Sequence, residues 1–179
     1  TYPSGVVVLD EDGSIGLKRY RKTINAVSNA TEFESESKDA KGLVPGGIRN
    51  AGSNSGAADR VMDGDPETWW HPSSADDLGD WWLEVDLGRV VLANQIRIVF
   101  PDSAGARPFR NFSVYVSEGA RTSLRNDIFQ YTRIGGTIKP NTDRIIEYEL
   151  RTVDPGAAIG ANLVTQDTLD FAAVQYVRF

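Results

Sequence analysis

Short runs in which apolar and polar residues alternate recur along this chain, and they constrain its fold more than any other feature. In the run WLEVDLG, for example, Val85 and Leu87 alternate with the acidic Glu84 and Asp86. The other predicted strands are ANQIRIVF (93–100), NFSVYVS (111–117), DIFQYTRI (127–134), RIIEYELRTV (144–153) and VQYVRF (174–179). Turn residues separate the runs at intervals of roughly 10–20 residues, and no strong amphipathic helix interrupts them. This pattern predicts an all-β chain, an antiparallel β-sandwich or jelly roll.

The N-terminal part of the chain and one long polar stretch define its predicted organisation. VVVL and SIGLKRY flank a turn at Asp12 and Gly13, so residues 1–27 are predicted to form an N-terminal hairpin or extension. Residues 28–55 are rich in Ser, Gly, Asn and Glu, and we interpret them as a long loop or a short surface helix. Residues 28–179 then form one β-sandwich domain. Its final YVRF looks like an interrupted strand, so we expect the domain to be cut short at its C-terminus.

Composition and charge exclude several classes of function. A chain of 179 residues can bury a core without covalent staples, and 40% hydrophobic with 25% charged residues is ordinary for a globular domain. The chain has no cysteine, which excludes disulfides and thiolate zinc sites. The formal net charge of −6 argues against nucleic acid and against an anionic membrane as partners.

The segment DGDPET holds a cluster of oxygen ligands. Asp63 and Asp65 flank Gly64, which permits a tight bend that can turn both carboxylates inward, and Thr68 adds a hydroxyl and a carbonyl. Hard oxygen ligands of this kind suit Ca²⁺ better than zinc or copper, although the ligand series of an EF-hand is missing. The simpler alternative is a polar turn, in which Asp63 and Thr68 bond nearby backbone N–H groups. The residues alone leave both interpretations open.

All four tryptophans lie close to this segment, as two pairs: Trp69 with Trp70, and Trp81 with Trp82. A tryptophan face offers apolar area to the C–H face of a pyranose ring, so an exposed tryptophan here is a candidate for sugar stacking. Packing beneath a loop is the alternative for each of them.

No catalytic residues are assigned. With one histidine, no cysteine and no G-x-S-x-G motif, the chain offers no recognisable nucleophile–base pair. Neighbouring carboxylates such as Asp76 and Asp77 could serve a glycosidase, but solvated charges are the simpler interpretation. The glycine-rich stretch GLVPGGIRNAGSNSG lacks the spacing of a phosphate-binding or dinucleotide-binding loop. We therefore expect the chain not to be an enzyme.

Five segments together resemble a known family. In chain order they are AADRVMDGDPETWWH, WWLEVDLG, IRIVF, FRNFSVYVSEG and AAVQYVRF, within about residues 50–179. They look like the successive signatures of the discoidin, or coagulation factor 5/8 type C, family, which includes the family 32 carbohydrate-binding modules and the galactose-binding-like domain of galactose oxidase. The resemblance implies an eight-stranded antiparallel jelly roll with a binding surface formed by loops at one end. Residues 1–27 lie outside it.

For the oxygen cluster, the resemblance implies a calcium ion in a loop of the pattern DG-x-x-x-T-x-W. Carried over to this chain, Asp63 and Asp65 give side-chain oxygens, Thr68 gives its hydroxyl and carbonyl, and Arg60 gives a backbone carbonyl. Trp70 would pack beneath the loop. The family closes this site with an Ala-Glu pair on a later strand, which is absent from this sequence. A bound Ca²⁺ is expected to stiffen the loop and to take no part in catalysis.

For the ligand surface, the resemblance places Trp70 and Trp82 at packed core positions. That leaves Trp69 and Trp81 as candidates for ligand contact. His71, the only histidine, follows the tryptophans where sugar-binding members of the family carry a ligand histidine. A hydrogen-bonded structural role is the alternative for His71.

Arg107 and Arg110 are the remaining candidates for ligand contact. Sugar-binding members of the family place an arginine just after the strand that reads IRIVF here, but this chain has Pro101 and Asp102 at those positions. The two arginines of the loop SAGARPFRN could reach the same surface from different positions, or could simply be solvated. The galactose-binding constellation of the family is thus not reproduced.

Three functions remain, in order of preference. The first is a non-catalytic carbohydrate-binding or adhesion module, with a glycan or glycoconjugate as partner, on an extracellular, cell-surface or virion-surface protein. The second is a structural domain that contacts neighbouring protein subunits in a virion, tail or extracellular assembly. The N-terminal hairpin, residues 28–55 and the insertion 154–168 favour it, since segments without their own core often order against a neighbour. Membrane binding ranks last, because Asp76, Asp77 and Asp80 would repel anionic lipid.

Overall fold

The structure is a computed structural model that describes residues 7–9, 13, 15–17, 24–36, 43–102, 106–122, 125–153 and 168–179. These residues contain three 3-10 helices, Ala30–Glu32, Ser55–Val61 and Leu78–Asp80. The strands, in chain order, are β1 (Val7–Leu9), β2 (Ile15–Leu17), β3 (Glu34–Glu36), β4 (Leu43–Pro45), β5 (Gly47–Ala51), β6 (Leu83–Ala93), β7 (Gln95–Val99), β8 (Ser113–Ser117), β9 (Arg121–Thr122), β10 (Arg125–Phe129), β11 (Thr132–Gly136), β12 (Ile145–Glu149), β13 (Thr152–Val153), β14 (Thr168–Leu169) and β15 (Ala172–Arg178). Of the helices formed by the described residues, none is long and apolar enough to cross a membrane.

Five of these strands form the main sheet, in the order β11–β8–β15–β6–β5, and every pairing in it is antiparallel. β6 pairs with β15 along most of its length, from Leu92 opposite Ala173 to Glu84 opposite Arg178. β7 pairs with β12, and the other described strands also pair in twos. The predicted all-β, antiparallel sandwich is confirmed.

The N-terminal hairpin is present as predicted. β1 pairs with β2, with Val7 opposite Leu17. Gly13 in the intervening turn has a φ of 84°, a left-handed conformation that glycine adopts without strain. Asp12 lies outside the described residues. Val27, the last residue of the predicted extension, packs against the core of the sandwich, and the division of the chain at this point stays a prediction.

The structure corrects the interpretation of residues 28–55 as a loop or short surface helix. This stretch contains the 3-10 helix Ala30–Glu32, the hairpin of β3 and β4, and β5 at the edge of the main sheet. Backbone pairing with β6 holds β5, so the strand needs little apolar alternation of its own. Gly46 permits a close approach just before β5, since a Cβ there would lie 2.5 Å from the Ala30 carbonyl oxygen. The insertion 154–168 lies outside the described residues except for its last residue.

One apolar core lies on one side of the main sheet. Leu83, Val85 and Leu87 alternate along β6 and all point into it, as the sequence pattern predicts. The buried members of this core are Ala57, Ala58, Trp70, Leu83, Val85, Leu87, Val116, Leu150 and Val174. The long segment between β5 and β6 therefore contributes Trp70 and two alanines to the interior.

Five aromatic rings close one end of this core. Phe179 stacks on Phe109 and on Phe112, with 5.6 and 5.0 Å between ring centroids. Trp70 meets the edge of Phe109 at 6.2 Å, and Phe100 meets it at 5.7 Å. Such contacts stabilise beyond the apolar area they bury. The cluster anchors the segment before β8 to the last residue of the chain.

The opposite face of β6 is also buried, although it is acidic. Glu84 and Asp86 are 4% and 5% exposed. The Glu84 carboxylate accepts hydrogen bonds from Arg49 and from the hydroxyl of Tyr131. Asp86 accepts a hydrogen bond from the Ser35 hydroxyl, so β3 covers this part of the sheet. The first half of β6 is therefore covered on both sides, by an apolar core and by a polar network.

Candidate functional site

Loops gather at one end of the main sheet, which we term the loop end. β5 ends where β6 begins, since Ala51 lies opposite Leu83. β15 ends beside the start of β8, since Arg178 lies opposite Tyr115. The predicted site residues all lie in two segments that enter or leave the sheet here, 52–82 and 106–112. Within the first of them, residues 71–82 form what we term the tryptophan loop.

The turn from Asp63 to Thr68 is held by hydrogen bonds among its own residues. Thr68 Oγ1 donates to Asp63 Oδ2 at 2.6 Å, and the Asp65 backbone N–H donates to Asp63 Oδ1 at 2.9 Å. Asp65 Oδ1 accepts from the Glu67 N–H, also at 2.9 Å. Gly64 has a φ of 79°, as the predicted tight bend requires. The bonds from Thr68 and Asp65 lower the pKa of Asp63 below its ordinary value.

The donor chemistry of this turn fits a hard cation, because carboxylate, hydroxyl and carbonyl oxygens are what Ca²⁺ prefers. Both oxygens of Asp63 and the hydroxyl of Thr68 are, however, already joined in the hydrogen bonds of the turn. In the described part of the chain, no three Asp, Glu or His side chains converge on a position that could hold a metal ion. Arg60 lies near the end of the 3-10 helix Ser55–Val61, and its side chain is exposed. Calcium at Arg60, Asp63, Asp65 and Thr68 stays a prediction.

The tryptophan loop is tied to the end of β5 through one buried serine. Ser53 is 1% exposed, and its hydroxyl donates to Asp76 Oδ2 at 2.6 Å. Ser53 Oγ in turn accepts a hydrogen bond from the Ser73 backbone N–H at 2.7 Å. Asn54 Nδ2 donates to the His71 carbonyl at 2.8 Å. The loop is thus fixed at its start and in its middle before any ligand arrives, which lowers the entropy cost of binding.

Trp81 is the tryptophan that solvent reaches most. It is 41% exposed, whereas Trp69 and Trp82 are half-buried. Its indole Nε1 donates to the Asp76 carbonyl at 3.2 Å, and Asp76 is itself held by Ser53. The ring therefore presents an apolar face at the loop end in one fixed orientation.

Of the two tryptophans that the resemblance placed at packed core positions, Trp70 belongs to the core, whereas Trp82 is half-buried and lies outside it. Trp70 is 6% exposed, and its Nε1 is shared between the carbonyls of Ser53 and Asn54, at 3.2 Å from each. Trp82 lies beneath the guanidinium of Arg178, whose Cζ is 4.2 Å from a ring centroid.

His71 is exposed at the start of the tryptophan loop. Its Nδ1 lies 3.0 Å from the Pro72 carbonyl oxygen, so a hydrogen bond there requires the proton to be on Nδ1. The other ring nitrogen, Nε2, is then left as an acceptor for a hydroxyl group. In that tautomer His71 bonds within its own loop, and Nε2 has no hydrogen bond to the described residues.

Arg107 and Arg110 are exposed on the segment 106–112 at the same end of the sheet. This segment is fixed by Asn141, whose backbone N–H donates to the Arg110 carbonyl at 2.7 Å. Its side-chain amide donates to the Phe109 carbonyl at 3.2 Å. Among the described residues, no hydrogen bond or ion pair joins either guanidinium to the tryptophan loop. The structure places the two arginines at the loop end without bringing them into contact with the tryptophans.

Sequence reasoning missed how the site is supported. Ser53 and Asp76 lie 23 positions apart, and no local pattern links them. The aromatic cluster of Phe109, Phe112 and Phe179 joins two separate segments, and only Phe112, as part of a predicted strand, was expected to pack. These supports decide which tryptophan is presented to solvent.

A polar hollow lies at the opposite end of the main sheet. Its lining residues are Asn94, Gln95, Glu149, Leu150, Arg151 and Asp170. Arg151 already pairs with Glu149 at 3.0 Å, and none of the predicted site residues lines the hollow. The chemistry that the sequence predicts therefore lies at the loop end.

Comparison with known proteins gives a family and a fold. The family model of the F5/8 type C domain matches residues 47–154. No curated protein matches the chain. The solved structure of CpGH89CBM32-4 from Clostridium perfringens, in complex with GlcNAc-α-1,4-galactose, is 11% identical, covers 89% of this chain and 79% of its own, and has a TM-score of 0.50.

Two further solved structures are similar. Chitosan-binding module 1 from the chitosanase/glucanase of Paenibacillus sp. IK-5 is 18% identical over 74% of each chain, with a TM-score of 0.43. The family 32 carbohydrate-binding module of NanJ from C. perfringens, in complex with galactose, is 15% identical over 70% of this chain and 74% of its own, with a TM-score of 0.45. At these identities the likeness concerns the fold.

Proposed function

Because the chain belongs to the F5/8 type C domain family, we propose that it is a non-catalytic carbohydrate-binding module whose glycan site lies at the loop end. The observation that carries this proposal is the face of Trp81, 41% exposed and held in place by the Asp76 carbonyl. The same fold holds a disaccharide in the C. perfringens module solved with GlcNAc-α-1,4-galactose. A sandwich of this kind can therefore serve as a scaffold for sugar binding.

The chemistry of the site suits weak and selective binding. A pyranose ring stacks its C–H face on Trp81, and its hydroxyl groups find hydrogen-bonding partners in His71 Nε2 and in the guanidinium groups of Arg107 and Arg110. Trp69, half-buried and two residues before His71 in the chain, adds apolar area next to the same surface. The loops are fixed by their own hydrogen bonds, so little conformational entropy is lost when a sugar binds.

A glycan-array screen of the 179-residue chain tests this proposal, with the Trp81→Ala variant beside it. We expect a restricted set of glycans to bind, and Trp81→Ala to weaken that binding about tenfold through loss of the stacking face. Leu92→Ala is the matched control, because Leu92 is also exposed, at 69%, but lies on β6 away from the loop end. Folded protein that binds no glycan, or Trp81→Ala that binds as well as Leu92→Ala, would contradict the proposal.

We add a structural calcium ion at the Asp63 turn as a separate part of the proposal. Asp63, Asp65 and Thr68 with the Arg60 carbonyl would hold it, and it would neutralise charge and stiffen the chain that leads to Trp69. The prediction is a rise in melting temperature with calcium that magnesium does not reproduce, because a ligand of the native state stabilises it. Asp63→Asn should abolish the rise. An identical melting curve in calcium and in EDTA would rule the ion out without touching the glycan site.

The proposed function also indicates where the protein acts. A glycan-binding module works where glycans are displayed, so we expect an extracellular, cell-surface or virion-surface location. Immunolabelling of intact, unpermeabilised cells or particles tests this, since only an external protein is reached by antibody.

One observation favours a second function, contact with neighbouring protein subunits. Val99 and Ile145 face each other across β7 and β12 and are 62% and 50% exposed. On β6, Val90 and Leu92 are 52% and 69% exposed on one face of the strand. Exposed apolar surface of this kind often marks protein contacts. Light scattering of the purified chain, with Ile145→Lys as the disrupting variant, tests it: a monomer at all concentrations would argue against self-assembly.

A further inference from the structure

The β7–β12 pair is a ribbon of two strands, and in the described part of the chain no strand lies along its outer edges. The two strands pair over five positions, from Ile145 opposite Val99 to Glu149 opposite Gln95. Neither strand belongs to the main sheet, and no other described strand pairs with either of them. The ribbon therefore offers two edges to which another strand could be added.

The hydrogen bonds of the ribbon show which backbone groups lie along these edges. The Phe100 N–H donates to the Arg144 carbonyl, and the Leu150 N–H donates to the Asn94 carbonyl, each at 2.8 Å. In an antiparallel ladder, such hydrogen-bonded pairs alternate with pairs whose N–H and C=O groups point away from the partner strand. The residues with outward-pointing groups are thus Gln95, Arg97 and Val99 on β7, and Ile145, Glu147 and Glu149 on β12.

The side chains of these six residues are exposed, whereas those of the residues between them are half-buried. Ile96, for example, packs against the apolar core. Arg97 and Glu147 are 56% and 49% exposed. Each outer edge therefore combines outward-pointing backbone groups with side chains that a further strand could contact.

The two strands of the ribbon are complementary to each other in charge. Val99 faces Ile145, and the next pair outward from the core, Arg97 with Glu147, is an ion pair with 3.5 Å between Nε and Oε1. If β12 of a second copy lay antiparallel along the outer edge of β7 in this register, it would repeat both pairs. Arg97 would then lie between two carboxylates, that of its own Glu147 and that of the neighbouring copy. Cross-strand pairs of opposite charge stabilise a sheet.

Pairing of like edges lacks this complementarity. Two copies joined through β12 alone would bring Glu147 and Glu149 close to the same carboxylates of the other copy. Two copies joined through β7 alone would bring two Arg97 guanidinium groups together. Like charges on adjacent strands are destabilising, so the side chains disfavour a symmetric dimer and favour the pairing of unlike edges.

Resting on the second proposed function, contact with neighbouring protein subunits, we infer that copies of this chain join head to tail, with β12 of one copy added to the outer edge of β7 of the next. Such a contact leaves one edge of each kind open at the two ends of an assembly, so growth continues past the dimer to a ring or a filament. One pair of five-residue strands is a small interface, so the assembly is weak and depends on protein concentration.

Sedimentation equilibrium of the 179-residue chain over a range of concentrations tests the inference. We expect the average mass to rise with concentration beyond that of a dimer. Arg97→Glu and Glu147→Arg should each weaken assembly about tenfold, because each places like charges between neighbouring copies. An equimolar mixture of the two variants should assemble again, since each variant then meets the opposite charge on its neighbour. The double variant Arg97→Glu with Glu147→Arg should assemble by itself.

The mixture separates a contact between copies from stability within one copy. Each single variant also loses the ion pair inside its own ribbon, and mixing cannot restore that pair. Arg133→Glu is the matched control, because Arg133 is exposed on β11, an edge strand of the main sheet, and it should leave assembly unchanged. Val99→Pro removes one outward-pointing N–H but none of the bonds between β7 and β12, and it should weaken assembly.

The outcomes distinguish this inference from the function on which it rests. Folded protein that stays monomeric at every concentration overturns the inference together with the second function, and leaves the proposed glycan-binding function standing. Assembly that stops at a dimer, or that neither charge reversal weakens, overturns the inference alone. The same conclusion follows if the mixture assembles no better than the single variants, if Val99→Pro assembles as readily as the unchanged chain, or if Arg133→Glu weakens assembly equally.

Discussion

The carboxylates on the buried face of β6 differ from those of the tryptophan loop in burial and in bonding. Glu84 and Asp86 are 4% and 5% exposed, and each is bonded to neighbouring side chains. Asp77 and Asp80 are exposed, and no described residue bonds to their side chains. The two pairs differ in their access to water. A carboxylate that is buried without a partner destabilises the folded state, so neighbouring side chains bond to it. An exposed carboxylate is hydrated, so it can remain without a protein partner and not destabilise the fold.

The side chains around Glu84 form an extensive buried network. Glu84 accepts hydrogen bonds from Arg49 and Tyr131. The guanidinium of Arg49 also lies 4.4 Å from the ring centroid of Phe129 and 5.2 Å from that of Tyr176. Burial, followed by the bond to Glu84, raises the pKa of Tyr131, so the phenol stays protonated and continues to donate. Arg49 on β5 thus joins Glu84 on β6 to the aromatic rings of β10 and β15.

The largest effect should come from removing that carboxylate. Glu84→Ala leaves Arg49 partly buried without its partner, and we expect the free energy of unfolding to fall by about 3–5 kcal/mol. Urea unfolding of the 179-residue chain measures it. The matched control is Glu147→Ala, whose pair with Arg97 is 3.5 Å long with both side chains about half exposed. That variant should lose no more than about 1 kcal/mol. Similar losses for the two variants would remove the distinction between buried and exposed carboxylates.

Ser53 connects the two regions in this comparison, because it is buried yet holds the exposed loop. Ser53→Ala removes the bond to Asp76 and the acceptor for the Ser73 N–H. We expect a loss of about 1–3 kcal/mol in unfolding free energy, and weaker glycan binding because Trp81 is no longer fixed. Ser74→Ala, at an exposed position in the same loop, is the control and should change neither quantity. Unfolding and binding are to be measured on the same protein samples, and a variant that loses stability but binds normally would show that the loop needs no anchor.

The sequence predicts one face of β6 and not the other, for a physical reason. Alternation is a local property, so Val85 and Leu87 could be assigned to the core directly. The burial of Glu84 depends on Arg49 and Tyr131, which lie 35 and 47 positions away and carry no signal that they will converge. The strand β5 was missed for the same reason: it is held by backbone pairing with β6, which is distant in sequence and leaves no local pattern.

The candidate site was predictable to the same extent. The loops and their tryptophans follow from local patterns and from the family resemblance, and the packed position of Trp70 agrees with it. Trp81 rather than Trp69 is the exposed ring, because the Trp81 indole donates to the Asp76 carbonyl and Ser53 holds the Asp76 side chain. Only the folded chain brings these residues together. The roles of the predicted site residues in binding stay predictions.

A smaller effect is expected at Asp63, a carboxylate that is exposed but still bonded. NMR titration should give Asp63 a pKa below the ordinary aspartate value of about 3.9. Since the folded-state pKa is the lower one, the stabilisation is present above the unfolded-state pKa and is lost as the pH falls through the folded-state pKa. Thr68→Val removes the largest cause and should raise the pKa of Asp63, whereas Thr142→Val, at an exposed position in another loop, should not. An unchanged pKa in Thr68→Val would show that the bond does not form in solution.

The smallest effect on stability should come from Asp77 and Asp80, the exposed carboxylates of the tryptophan loop that no described residue bonds. Asp77→Asn with Asp80→Asn removes no capping bond and no ion pair of the described residues, so the unfolding free energy should change by less than about 0.5 kcal/mol. The same urea experiment that detects the loss in Glu84→Ala detects its absence here. A loss above about 1 kcal/mol would mean that these carboxylates also serve the fold, and they would then belong with Glu84 rather than with the ligand surface. Unchanged stability in this double variant, beside the large loss in Glu84→Ala, is the result that separates the two kinds of carboxylate.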